Sequence, residues 1–219
     1  GATSTAIGIS FVLAEIKRAR GRLNEADYTY EQALQLAASQ GEPLPVGAAD
    51  LYRGVSELAC EKGDLEAAAQ HLLTAQKLGE QAVLTGWPHR RCVAAARLKQ
   101  AQGDLDGALD LLDEAERLFV RSPIPDVRPV AALRVRIWLA QGKLTEALVW
   151  VRGRALSTDH ALSYLREFEH MTLARVGIAL YRDAPEDGSV RETLSLLDRL
   201  LHAALDGDRA GSVIEIRML

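Results

Sequence analysis

The chain has 219 residues, a mass of 23.8 kDa and a formal net charge of −4, with a pI near 5.8. Hydrophobic residues make up 48% and charged residues 26%, enough to bury a core and ordinary for a soluble globular protein. The mildly acidic balance lacks the basic footprint of a nucleic-acid binder. Aromatics reach only 5%, so Ala and Leu must build the interior, which suits helices packed closely together.

From the N-terminus, the apolar stretch Ala6–Ala14 falls short of the roughly 20 residues of a membrane helix. No basic segment precedes it, so it makes a poor signal peptide. The chain starts without Met and stops in mid-pattern at VIEIRML; it is read as a piece of a longer cytoplasmic protein.

Self-similarity is the main signal. Four segments align: GRLNEA from Gly21, GDLEAA from Gly63, GDLDGA from Gly103 and GKLTEA from Gly142, the glycines lying 42, 40 and 39 residues apart. Each glycine sits between two apolar helical patterns, where a left-handed residue ends one helix. The Ala five residues later (Ala26, Ala68, Ala108, Ala147) is small where two helices must approach. The second helices carry Ala33, Leu34 and Ala37; then Leu72, Leu73, Ala75 and Leu78; then Leu109, Leu112, Ala115 and Leu118. Steps of three and four place these on one helix face. Breakers separate the units: GEPLPVG at Gly41, GWP at Gly86 and RSPIPDVRP at Arg121.

After Gly142 the pattern loosens. A short second helix ends across Val151–Thr158, and a long helix is expected from about Asp159 to Tyr181. DAPEDGS reads as a polar loop, Val190–Leu205 as a helix bearing Leu194, Leu197, Leu200 and Leu201, and GDRAGS as a turn. Ser212–Leu219 opens a sixth unit with an apolar face of Val213, Ile214, Ile216 and Leu219, a possible surface for self-association. The expected fold is all-α: a right-handed superhelix, or solenoid, of tetratricopeptide-like helix–turn–helix repeats of about 40 residues, forming a single domain over 1–219. The repeats fall at about 3–40, 44–85, 87–122, 125–157 and 159–205, with the start of a sixth at 208–219.

In tetratricopeptide-type repeats the first helix of each pair lines the concave face. Six residues before the four glycines stand Glu15, Glu57, Arg97 and Arg136, and Arg175 aligns with them in the fifth unit. Arg53 lies four residues before Glu57 and shares its helix face. One reading is a binding groove, acidic at one end and rich in arginine forks at the other. The other is a set of solvated or structural charges, with Glu57 pairing Arg97 between neighbouring repeats.

No P-loop, G-x-G-x-x-G or G-x-S-x-G motif occurs, and His71, His89, His160, His170 and His202 show no metal-ligand spacing. No catalytic residue, metal site or cofactor is expected, and the histidines read as surface or helix-satisfied. Two segments, LDLLDEAERLFVRSPIPDVRPVAALRVRIWLAQGKLTEALVWV and LSYLREFEHMTLARVGIALY, resemble the superhelical sensor domain of MalT-like regulators, ATP-dependent transcriptional activators of the LuxR type. The similarity runs from about Ile9 to Leu219, and its most specific parts are WLAQG, YLREFEH and LAR.

The resemblance implies a solenoid that receives an inducer and helps control oligomerisation. A nucleotide-binding module and a C-terminal helix-turn-helix would lie elsewhere in such a protein, so this segment is expected to bind neither ATP nor DNA. Expected partners are therefore a small-molecule inducer, or a partner protein segment if the chain is instead an interaction scaffold.

Overall fold

The structure is a computed structural model and describes residues 2–41, 43–79, 86–121, 126–185 and 187–219. The repeat limits at 85, 122 and 125, the prolines Pro123 and Pro125, and Glu42 and Glu186 lie outside the described residues. Among the described residues there are eleven α-helices and no strand, in agreement with the all-α helical-hairpin expectation. Packing divides the chain into two compact units, Gly1–Ser122 and Pro123–Leu219.

The first unit contains three hairpins: α1 (Ala2–Ala19) with α2 (Leu23–Ala38), α3 (Ala48–Lys62) with α4 (Leu65–Lys77), and α5 (Trp87–Ala101) with α6 (Leu105–Arg117). The glycine at each hairpin turn has the positive φ anticipated from the repeat: 71° at Gly21, 81° at Gly63 and 83° at Gly103. The following Asp64 and Asp104 cap α4 and α6, each accepting a backbone N–H three residues on, from Ala67 at 3.0 Å and Gly107 at 2.9 Å. This side-chain acceptor satisfies a donor that the helix start leaves open.

Ala26, Ala68 and Ala108 are fully buried, as their place in the repeat requires. Leu72 and Ala75 face the core, but Leu73 is 53% exposed, because one residue along a helix turns the side chain by about 100°. Successive hairpins join through apolar contact. Leu51 and Leu58 of α3 pack into the cluster formed by Ile7, Phe11 and Ala14 of α1 with Ala26, Tyr30, Ala33 and Ala37 of α2. Burying each of those leucines contributes about 1.5–3 kcal/mol.

The opposite side of α1 carries Ile9, Val12, Leu13 and Ile16, all 45–64% exposed. Counted back from the hairpin glycine, Ile9, Val12 and Ile16 occupy the places of Leu51, Gly54 and Leu58 in α3, which are buried.

The second unit contains α7 (Val130–Ala140) with α8 (Leu144–Gly153), then α9 (Glu167–Asp183) with α10 (Asp187–Asp206), and α11 (Ala210–Arg217). Gly142 again takes a positive φ, 75°, and Ala147 is fully buried. The helix expected from Asp159 starts later: residues 159–163 are irregular and Tyr164–Arg166 forms a 3-10 turn before α9. The cause is long-range. Arg199 of α10 donates to the carbonyls of Thr158, 2.6 Å, and His160, 2.5 Å, taking up acceptors that a helix would need.

The loop after α9 is shorter than DAPEDGS suggests, since α10 already includes Asp187–Ser189 and Thr193 bonds back to the Ser189 carbonyl at 3.0 Å. The buried stripe of α10 is Thr193, Leu196, Leu200 and Ala204; Leu194 is 58% exposed. In the last turn Asp208, not Gly207, holds the positive φ, 53°, and α11 begins at Ala210, two residues before the expected Ser212. Within α11, Ile216 is buried and Ile214 exposed, so the expected apolar face is divided between core and solvent.

Both cysteines are free thiols, Cys92 buried and Cys60 half-buried, and burial pushes both thiols above the ordinary range. No helix among the described residues is long and apolar enough to cross a membrane.

Gly54 marks the closest approach between the first two hairpins: a Cβ there would lie 2.3 Å from the Tyr30 hydroxyl oxygen. Replacing a mid-helix glycine by alanine ordinarily stabilises by about 1 kcal/mol. Here Tyr30 is fully buried, so Gly54→Ala is expected to destabilise by about 1–3 kcal/mol through overpacking, read as a lower urea midpoint. A raised midpoint would mean that Tyr30 has room to move.

Candidate functional site

The position six residues before the hairpin turn forms a ladder on the first helices. In the first unit it holds Glu15 on α1, Glu57 on α3 and Arg97 on α5. Glu57 is the junction. Its Oε2 accepts from Arg18 Nη1 of α1 at 2.7 Å and from Arg97 Nη1 of α5 at 2.9 Å, and its Oε1 accepts from Arg53 Nη1 one turn earlier on α3. Arg18 also donates through Nη2 to Glu15 Oε2 at 2.6 Å, and Glu15 Oε1 accepts the Tyr30 hydroxyl. Glu61 Oε1 completes the set at 3.4 Å from Arg18 and 3.3 Å from Arg97. The Arg53 guanidinium lies 5.2 Å from the centre of the Phe11 ring, an additional cation–π contact. Asp50 and Arg90 repeat the scheme one repeat apart at 3.0 Å.

Three carboxylates, Glu15, Glu57 and Glu61, thus meet three guanidiniums, Arg18, Arg53 and Arg97. Burial alone would push the Glu57 carboxyl up, but Arg18, Arg53 and Arg97 hold it well below the usual carboxylate range. Arg18 and Arg53 are likewise kept above the ordinary arginine value: burial works against their charge, and the carboxylates, Glu57 foremost, outweigh it. Burial and Glu15 push the Tyr30 hydroxyl up. The expected pairing of Glu57 with Arg97 is present, as part of this larger network.

The second unit is differently balanced. The ladder holds Arg136 on α7, Arg175 on α9 and Glu215 on α11. Glu215 Oε1 lies 2.7 Å from Arg136 Nη1 and accepts from Arg175 Nη2 at 3.1 Å and Nε at 3.3 Å. Arg136 Nε donates to Thr172 Oγ1 at 2.9 Å, and its guanidinium stacks 3.6 Å from the centre of the Phe168 ring. Its Nη2 is buried with no hydrogen-bond partner. Burial, opposed by Glu215 but reinforced by Arg175 and Arg128, brings the Arg136 pKa down to about 10. Beside this cluster Arg209 donates to Glu167 Oε2 through Nε at 2.9 Å and Nη2 at 2.6 Å, while Ser212 donates to Glu167 Oε1 at 2.6 Å.

The six residues singled out from the sequence therefore fall into two clusters: Glu15, Arg53, Glu57 and Arg97 in the first unit, Arg136 and Arg175 in the second. Sequence reasoning passed over Glu215, although it stands one 40-residue step beyond Arg175 and that spacing could have found it. It also passed over Arg18, Tyr30 and the Arg209–Glu167 pair, which have no counterpart at equivalent places in the other turns.

Among the described residues no group of three or more His, Cys, Asp or Glu is disposed to hold a metal ion. His170 is buried, and its Nδ1, 2.9 Å from the Arg166 carbonyl, acts as the donor. His89 is anchored in the same way on the Ala115 carbonyl at 2.8 Å. A cleft of about 270 Å³ opens among Leu139, Gly142, Leu144, Ala179, Arg182 and Asp183. It begins one helical turn beyond Arg136 and Arg175 along α7 and α9.

A family model described as the MalT-like TPR region matches residues 1–219. No curated protein matches the chain significantly.

Replacing Glu57 by Gln leaves three arginines around a neutral side chain, and stability is expected to fall by about 3–5 kcal/mol, as when one partner of a buried pair is removed. The pH dependence carries a sign. A carboxyl held low in the folded state contributes fully above its unfolded value, about 4.3, and loses that contribution as the pH drops below it. The melting temperature of the unsubstituted chain is therefore expected to fall between pH 5 and 3 more steeply than that of Glu57→Gln. Equal slopes would assign acid lability to other carboxylates.

Proposed function

The chain belongs to the MalT-like TPR region family, and from that membership we propose that it is the sensing segment of a LuxR-type transcriptional regulator, binding an inducer on the first-helix face and biasing the regulator toward an active, oligomerising state. An inducer shifts such an equilibrium only by binding the active arrangement more tightly than the resting one. The observation that carries the reading is the contrast between the two ladders. In the first unit, Glu15, Arg53, Glu57 and Arg97 belong to a network with equal numbers of carboxylates and guanidiniums, and we assign them to holding hairpins in register. In the second unit, Arg136 and Arg175 share one carboxylate, two guanidiniums to one; a buried guanidinium nitrogen without a partner occurs in both units, at Arg53 Nε and Arg136 Nη2, and does not tell them apart. These two arginines are the proposed ligand contacts.

A second reading is favoured by α1. Its Ile9, Val12, Leu13 and Ile16 form an exposed apolar stripe at helical spacing, of the kind that takes an apolar helix face from a partner protein.

A thermal-shift panel of sugars, organic acids, nucleotides and amphipathic peptides tests both readings. A ligand at 100 times its dissociation constant stabilises by about 2.7 kcal/mol, and the sensing reading expects a small-molecule shift that Arg175→Ala diminishes. The scaffold reading expects a shift with a helical peptide alone, lost in Ile9→Glu/Ile16→Glu. No shift from any small molecule would overturn the sensing reading for this chain.

A further inference from the structure

The second-unit cluster has a charge imbalance that names a ligand chemistry. Arg136 and Arg175 contribute two positive charges, and Glu215 is the carboxylate between them, with three N–H groups directed at its Oε1. Arg136 stacks 3.6 Å from the centre of the Phe168 ring, and the Arg128 guanidinium lies 5.9 Å from the same centre. Arg175 is the accessible member, with a third of its side chain exposed, whereas Arg136 lies behind it at 15%. A guanidinium offers donors in a planar fork that fits the two oxygens of a carboxylate or phosphate. One further negative group, approaching through the partly exposed Arg175 guanidinium, would neutralise the pair.

We propose that Arg136 and Arg175, braced by Glu215 and the Phe168 ring, form a binding site for a small anionic ligand that presents a carboxylate or phosphate group to the two guanidiniums. This rests on the sensing reading and narrows it to a class of inducer. Glu215 has a defined part: it holds the arginines in place but competes with the ligand for their positive charge. The geometry therefore assigns opposite effects to the two kinds of substitution, which a merely structural ion pair would not produce.

The test is calorimetric titration and thermal shift of the whole chain at low ionic strength with inorganic phosphate, citrate, acetate and an uncharged oligosaccharide, with sodium chloride matching ionic strength. Saturable binding of phosphate or of the carboxylates is expected, and which of these binds more tightly identifies the ligand group. Arg175→Ala is expected to weaken the anion at least tenfold, Glu215→Gln to tighten it severalfold, and Arg182→Ala, about two helical turns further along α9 in the neighbouring cleft, to leave it unchanged. Circular dichroism establishes that each variant is folded; should Glu215→Gln unfold, Glu215→Ser takes its place.

Stabilisation by anions equal to that by chloride, or unaltered by Arg175→Ala, overturns the proposal. Binding of the uncharged oligosaccharide that is lost in Arg175→Ala overturns the anionic class while leaving the sensing reading standing. No binding by any of these probes overturns the proposal, and the wider panel then decides the sensing reading.

Discussion

A single buried carboxylate, Glu57, receives guanidinium groups from three successive first helices, and the alignment of the first three hairpins depends on it. Arg18 reaches it from α1, Arg53 from the same helix and Arg97 from α5. A carboxylate this buried needs compensation for the water it has lost, and two of its three partners, Arg18 and Arg97, place their remaining donors on Glu15 and Glu61. Apolar packing of alanine against leucine tolerates sliding along a helix, whereas hydrogen-bonded charges do not. The leucines and alanines drive the hairpins together, and the charge junction fixes where they stop.

The same ladder position is balanced differently in the two units. In the first unit each ladder charge is answered by a neighbour, so the interactions are spent on architecture. In the second, two like charges meet on adjacent first helices and one glutamate stands between them. Burial first, and the neighbouring Arg175 and Arg128 charges after it, bring the Arg136 pKa down to about 10 against the pull of Glu215. On the proposed reading, that imbalance is where a ligand would bind. Fold alone cannot make that distinction, because both units use the same hairpin.

How far the sequence spoke follows from the range of each interaction. Gly21, Gly63, Gly103 and Gly142 are read at once, since a left-handed turn residue is a local requirement. The buried alanines five places later follow from repetition. Glu57 and Arg97 could be placed together because repeat arithmetic brings residues 40 apart into contact. Repetition is silent about unique residues, so Arg18 and Tyr30, which complete the junction, went unseen. The late start of α9 was equally hidden, because Arg199, some 40 residues away, takes the Thr158 and His160 carbonyls. Leu194 and Leu196 show the remaining ambiguity: a helix rich in leucine offers more than one apolar stripe, and packing selects Leu196.

The spacing between ladder residue and hairpin glycine is six in all four turns, while the glycines themselves lie 42, 40 and 39 residues apart. Length variation has accumulated outside that six-residue span. A single residue inserted within it would rotate every upstream side chain by about 100° relative to the turn, carrying a ladder charge away from its partners. Insertions and deletions between hairpins shift no such angle. The molecule is thus divided into stretches that can change length freely and short ones that cannot, and the latter carry the charges.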